Sequence, residues 1–450
     1  MQALRRALAA VAAAALIMSP AAYAEAGKPV PEIVADSAMV VDMKSGTVLY
    51  DKHMHKKKYP ASTTKVMTAL LTIENLDMDD RVTVDAEASF TEGSRIYLLE
   101  GEVLTVRELF YALLLPSAND AAVALAKEIS GSTEAFAELM NSRARELGAL
   151  DTNFVNPHGL TDENHLTSAY DLALIATEAM RHEAFREAVS TYSYTIPATN
   201  MQETRYLYNS NRLLYDETHE VVYEGASRDI KYEDATGIKT GYTSLAGSCL
   251  VAGAERDGTE LVAVMMQSTS GALYLDAISL LEYGFSNYRS VLALEEGAGT
   301  GEIDVRRGAV GSVGTRADGD GWVSLPADAS ESELVVSAEL EPFLTAPVRE
   351  GDKAGEIRIL RGDGLLKTID IVADGDVGEG GPLSYIGITD AAAGIMLRTA
   401  LIALAALAAI AAAYIALRRR QLRRRRSRRA ERAARMEERA KADSESRRRL

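Results

Sequence analysis

A proline followed at once by a helical run constrains this chain more than any other feature: Tyr59-Pro-Ala-Ser-Thr-Thr-Lys-Val-Met-Thr-Ala-Leu-Leu-Thr-Ile-Glu-Asn75. Pro60 bars a helix upstream, and helical periodicity begins just beyond it. Positions 62, 65, 66, 69, 70 and 73 share one helix face. Val66, Ala69, Leu70 and Ile73 make that face apolar, and Met67 and Leu71 widen it. The spacing predicts a helix from Ser62 to Asn75, buried nearly all round. Ser62 and Lys65 stand at its N-terminal end. A serine hydroxyl becomes a nucleophile only beside a base. A lysine is such a base when burial, nearby positive charge or the helix dipole lowers its pKa. The Ser62 N–H is also free to donate to a developing oxyanion. Taken alone, the tetrad fits a serine N-cap with a solvated lysine better than a catalytic pair, so motifs further along must decide.

Thr105 to Glu108 reads as a capping box before an apolar helix that ends at Pro116, and an alanine-rich helix follows from Asp120 to Ile129. Ser117-Ala-Asn119 lies between them, and taken alone Ser117 reads first as the cap of the second helix. Helical patterns over 133–147 and 168–180 flank a turn-rich loop, Asn156-Pro-His-Gly-Leu160. Residues 191–232 are polar and rich in Tyr and Asn, the texture of a wall or lid. Apolar runs over 37–43 and 47–52 predict one hairpin, and runs over 248–255 and 260–267 around Asp257-Gly258 predict another. Lys239-Thr240-Gly241 then falls on a strand of an antiparallel sheet. Lys239 reads there either as an exposed edge lysine or as a ligand contact, and Gly237 and Gly241 predict close approach of a ligand to the strand. A helix over 273–283 is expected to pack on the sheet.

The net charge of -16 hides an asymmetry. Residues 418–450 hold 16 Lys/Arg and 5 Asp/Glu, a net of +11, which leaves -27 for the rest. An acidic body argues against nucleic acid as a partner and, with a basic tail, suggests a chain divided across a membrane. Met1 to Ala24 reads as a signal peptide: Arg5 and Arg6, an apolar stretch, then Ala22-Tyr23-Ala24. Thr399 to Leu417 is an uncharged run of 19 residues between arginines, about 28 Å as a helix and close to a bilayer core. The arginines from Arg418 on orient it with the tail cytoplasmic and the body outside. The single cysteine, Cys249, lies in an apolar run and reads as a buried structural thiol. Residues 291–388 alternate in short runs rich in Gly and Val, a small all-β domain. The expected organisation is 1–24 signal peptide, 30–290 catalytic domain, 291–388 β domain, 399–417 transmembrane helix and 418–450 tail.

S-x-x-K, S-x-N and K-T-G in that order mark penicillin-recognising serine acyl-transferases. With Pro60 to Leu70, Leu115-Pro-Ser-Ala-Asn-Asp-Ala121, Asn156 to Leu160 and Thr236-Gly-Ile-Lys-Thr-Gly-Tyr-Thr243, the chain resembles the low-molecular-mass D-alanyl-D-alanine carboxypeptidases over roughly Ala35 to Tyr288. The resemblance implies an α/β (α+β) fold of penicillin-binding, serine β-lactamase type. It implies Ser62 as nucleophile, Lys65 as its base, Ser117 and Lys239 as proton relay, and Asn119 as orienter. Lys239, Thr240 and Gly241 would meet the substrate carboxylate. Backbone N–H groups of Ser62 and Tyr242 would form the oxyanion hole. Peptidoglycan stem peptides are the implied substrates and β-lactams the covalent inhibitors, with no metal or organic cofactor. Two positions depart: Tyr242 stands where many relatives carry His, and Leu273 where they carry a carboxylate-binding Arg. The absence of an E-x-x-L-N loop disfavours a β-lactamase. A DD-endopeptidase, a transpeptidase and a non-catalytic wall-binding protein remain as alternatives. No G-x-S-x-G elbow surrounds Ser62, and no H-E-x-x-H occurs.

Overall fold

The computed structural model describes residues 27–447. The signal peptide expected over Met1 to Ala24 lies outside them. The chain divides into two compact units that interleave in sequence. One comprises the chain up to Glu295 with Asp320–Ser337 and Arg358–Ile369; the other comprises Glu296–Gly319, Ala338–Ile357 and the chain from Asp370 on.

In the first unit, β1 (Ser37–Asp42), β2 (Val48–Lys52), β3 (Ala235–Thr243), β4 (Gly247–Arg256) and β5 (Thr259–Ser268) form one sheet. Its order is β2-β1-β5-β4-β3, and every pairing is antiparallel. Val262, Val264 and Met266 of β5 enter one core, while Leu261, Ala263 and Met265 enter another. β1 divides in the same way, Met39 and Val41 against Ala38 and Val40. Successive side chains point to opposite faces, and both faces are covered, so these strands read as unbroken apolar runs. The first core is shared by α1 (Lys65–Asn75), α2 (Val106–Leu114), α3 (Asn119–Ser130), α4 (Thr133–Glu146), α5 (Ala169–Ala179) and α6 (Glu183–Ser190), together with the short helix Ala86–Phe90. Helix α7 (Leu273–Asn287) covers the other face. This is the expected antiparallel sheet flanked by helices.

Local chemistry explains most boundaries. Asp257 and Gly258 have φ of 49° and 78°, as a two-residue hairpin turn matched to strand twist requires. The capping box of Thr105 and Glu108 is formed, and Ser132 and Ser168 accept from Ala135 N and Asp171 N at the starts of α4 and α5. The helix predicted from Ser62 begins instead at Lys65, after a 3₁₀ turn over Ala61–Thr64. Thr63 draws that turn tight, bonding the Pro60 carbonyl through Oγ1 at 2.7 Å and through its N–H at 3.3 Å. The polar stretch 191–232, expected as a wall or lid, contains regular structure. It carries two antiparallel hairpins, Ser193–Ile196 with Arg205–Tyr208 and Glu220–Tyr223 with Ala226–Asp229.

The second unit is built on an antiparallel pair, Gly299–Arg306 and Ser312–Ala317, with Leu344–Thr345 parallel to the end of the first. Val305, Ala346, Val348, Ala373 and Val377 form its core. It continues into α8 (Asp390–Arg447), a single helix of 58 residues. By length and composition α8 can cross a membrane, and no other part of the described chain covers its apolar stretch.

Candidate active site

The position of Ser62 depends on two glycines. Gly159 has φ +86°, and a Cβ there would lie 1.8 Å from the Ala61 carbonyl oxygen. A Cβ on Gly241 would lie 2.9 Å from the Ser62 nitrogen. The 156–160 loop and strand β3 therefore press on the turn that carries Ser62 from two directions, at distances only glycine allows. Both glycines flanking Lys239 stand against protein atoms: Gly241 admits the protein's own backbone, and a Cβ on Gly237 would meet Val189 Cγ2 at 2.8 Å.

Lys65 is completely buried in the first turn of α1. Its Nζ lies 2.6 Å from Asn119 Oδ1, 2.9 Å from the His158 carbonyl oxygen and 3.2 Å from Ser62 Oγ. Burial, and then the charge of Lys239, push its pKa well below that of an ordinary lysine, while Asp120 opposes the shift. A neutral amine has two N–H bonds and one lone pair. Two of the three neighbours are carbonyl oxygens, which can only accept. In the neutral form they take the two N–H bonds and the lone pair faces the Ser62 hydroxyl, the geometry that a base for Ser62 would need.

Asn119 is held so that this works. Its Nδ2 donates to the Glu92 carbonyl at 2.6 Å, which fixes the amide with Oδ1 towards Lys65. Its backbone N–H bonds the Ser94 carbonyl at 2.7 Å. Next to it, buried Asp120 accepts from the N–H groups of Ile96 and Leu98, tying the same stretch to the start of α3. Ser117 is not the helix cap that its position allowed: Ala118 occupies that place. Ser117 has φ +65°, and its buried Oγ has no hydrogen-bond partner. Such a hydroxyl is costly and rare.

Lys239 lies on the edge strand β3 but is buried, so the exposed-edge reading fails. Its register partner Val251 belongs to the first core, which puts the Lys239 side chain on the helical face of the sheet, the side of Ser62. Its Nζ donates to the Thr240 carbonyl at 3.1 Å, and burial brings its pKa down to about 7. Thr240 Oγ1 lies 2.8 Å from Ser210 Oγ. Tyr242 is 67% exposed and lies on the edge strand β3. Cys249 is buried, and burial raises its pKa to about 11. Leu273 packs in the second core and brings no charge to the site.

Ser62, Lys65 and Asn119 are thus joined by direct hydrogen bonds. Ser117 and Lys239 are buried polar groups with no bond to them, and Thr240 and Tyr242 contribute from the strand. The sequence reading assigned no role to the 156–160 loop. Asn156 Oδ1 accepts from Gly159 N at 2.7 Å, Pro157 accepts from Thr68 Oγ1 at 2.6 Å, and His158 supplies the carbonyl for Lys65. Nearby, His165 Nδ1 accepts from Val155 N, so its Nε2–H donates to Thr64 Oγ1, and burial lowers its pKa to about 4. Backbone carbonyls carry no residue signature; only the run of turn residues marked this loop.

A serine facing a buried lysine, with an asparagine on an inter-helix elbow and a Lys-Thr-Gly edge strand, defines a serine acyl-transferase of the penicillin-recognising class. The chain belongs to the D-alanyl-D-alanine carboxypeptidase family, peptidase S11, whose family model matches residues 24–270. Residues 288–379 match the C-terminal domain of penicillin-binding protein 5. The D-alanyl-D-alanine carboxypeptidase DacF of Bacillus subtilis is 31% identical over 82% of this chain and 94% of its own length. The solved penicillin-binding protein 5 of Haemophilus influenzae superimposes with a TM-score of 0.65 at 30% identity, covering 78% of this chain and all of that one. The DD-transpeptidase of Streptomyces K15 gives 0.52 at 33% identity over 57% of this chain.

Proposed function

We propose that this protein trims the terminal D-alanine from peptidoglycan stem peptides through an acyl-enzyme on Ser62. Neutral Lys65 takes the Ser62 proton, and Ser62 Oγ attacks the carbonyl of the D-Ala-D-Ala bond. The oxyanion rests on the backbone N–H groups of Ser62 and Tyr242. Ser117, its hydroxyl unpaired in the free protein, and Lys239 pass a proton to the departing amine as the C–N bond breaks. Lys239 and Thr240 meet the substrate carboxylate. Water then releases the shortened peptide, and β-lactams acylate the same oxygen. The arrangement that carries this reading is the Lys65 amine, fully buried between two carbonyl acceptors and the Ser62 hydroxyl. The domain scheme proposed is that of the sequence, with residues 399–417 across the bilayer, the catalytic unit outside and the arginine-rich tail in the cytoplasm.

The test pairs fluorescent-penicillin labelling with D-alanine release from a pentapeptide ending in D-Ala-D-Ala. Wild type should label and should release D-alanine without forming a second peptide. Ser62→Ala should do neither; equal labelling of that variant would remove Ser62 as nucleophile, and transfer of the acyl group to an added amine would favour a transpeptidase.

A further inference from the structure

The hairpin Ser193–Ile196/Arg205–Tyr208 has two unlike faces. One is anchored: Tyr194 stacks on Tyr111 with ring centroids 4.0 Å apart, and Ile196 and Leu207 are buried. The other carries Tyr206 and Tyr208, 67% and 57% exposed. Their cross-strand partners are Thr195 and Ser193, small and exposed, so nothing covers the rings. Tyr192, also exposed, lies 5.8 Å from Tyr208 and 4.9 Å from Tyr215, centroid to centroid. The result is an aromatic strip on a rigid support.

The strip adjoins the site. From Tyr208 the chain passes through Asn209, whose Nδ2 is fixed by the Val189 and Thr191 carbonyls, to Ser210. Ser210 N bonds the Leu115 carbonyl just before the Ser117 elbow, and Ser210 Oγ bonds Thr240. The exposed cross-strand neighbours of these rings, Ser193 and Thr195, are hydroxylic, and the exposed apolar residues Pro197, Ala198 and Met201 lie apart in the loop of the hairpin; the rings therefore stand among hydroxyls, unlike a patch built for an apolar protein surface. The body's net charge of -27 outside residues 418–450 repels anionic lipid and nucleic acid. A sugar chain matches what remains. A pyranose offers a face of C–H bonds to stack on a ring and a rim of hydroxyls for the phenol. Tyrosines two residues apart on a strand stand about 7 Å from one another, so one extended polysaccharide can meet several rings.

We propose that Tyr192, Tyr206, Tyr208 and Tyr215 form a glycan-binding platform that takes the sugar strand from which the stem peptide hangs. The substrate side of this inference rests on the activity proposed above; the binding side does not. The test uses the full-length protein in detergent with peptide-free peptidoglycan glycan strands as the probe, and compares wild type with Tyr206→Ser/Tyr208→Ser. Normal penicillin labelling of the variant establishes that it is folded. The expected result is about tenfold weaker glycan binding, the loss of two stacking contacts. D-alanine release from polymeric peptidoglycan should fall in parallel, while release from a soluble pentapeptide stays unchanged. The proposal is overturned if wild type does not bind the strands, if the variant binds them equally, or if the variant loses binding to vesicles or to a protein while its glycan binding is intact. Glycan binding without D-alanine release from either substrate supports the platform and removes the carboxypeptidase activity instead.

Discussion

Two lysines are buried at this site, and the charge of Lys239 weakens the hold of Lys65 on its proton. Burial is the main cause of the low Lys65 pKa and the Lys239 charge the second. Lys239→Gln removes that second cause, so the acid limb of penicillin acylation at Ser62 should move to higher pH rather than merely lose height. A stopped-flow pH profile of acylation checks this; an unmoved limb would show that the two amines do not communicate. The same residue predicts a stability profile. Its pKa is about 7 in the fold against 10.5 for an ordinary lysine. Between those values the unfolded chain holds a proton that the folded chain has lost, so stability should rise with pH across the window. The penalty is fully present below about 7, and Lys239→Gln should flatten the rise in urea melts taken from pH 7 to 10. At Gly159, a methyl group would fall within bonding distance of the Ala61 oxygen. Gly159→Ala should cost about 1–3 kcal/mol and should slow penicillin labelling more than the melting midpoint alone would suggest. The sequence showed Ser62, Lys65 and the lone thiol through spacing and residue type. It could not show that the third neighbour of Lys65 is a main-chain oxygen, because any residue supplies one.

At the level of elements, α2, α3 and the 92–102 stretch work together. Glu102 is fully buried and accepts from Leu99 N, Thr199 Oγ1, Gln202 Nε2 and the Arg205 guanidinium. It fastens the loop whose Glu92 and Ser94 carbonyls hold Asn119 to the tyrosine hairpin. Glu102→Ala removes the buried carboxylate that pairs with the Arg205 guanidinium and accepts from Leu99, Thr199 and Gln202, and should cost about 3–5 kcal/mol, read as a shift in urea midpoint. Where that variant still folds, acylation should slow because Asn119 loses its support. Helices with an apolar period and a Ser or Thr cap were legible to within a residue or two, as α2 and α4 show. The start of α1 was not, because a 3₁₀ turn and an α-helix share their hydrophobic spacing over so short a run. The hairpins of 191–232 were hidden for a different reason. Tyr206 and Tyr208 alternate with a buried leucine, but their outward face is aromatic rather than polar, so the usual two-residue contrast is missing.

For the whole molecule, the charge distribution and α8 lead to the same expectation. In right-side-out membrane vesicles, added trypsin should spare the arginines of 418–447, and inside-out vesicles should lose them; the reverse pattern would invert the proposed orientation. The apolar helix was legible because its uncharged stretch has a length that few environments other than a bilayer require. The interleaving of the two compact units was not, since segments 320–337 and 358–369 carry the same short alternating runs as their neighbours. One property of α8 extends beyond anchoring. From Ile395 to Arg447 it contains neither glycine nor proline, so nothing along it acts as a hinge. Were it to cross a bilayer at an angle set by the bilayer's thickness, the helix would carry its tail as a rigid rod, and a thicker or thinner membrane would re-aim the arginines without touching a single bond of the enzyme.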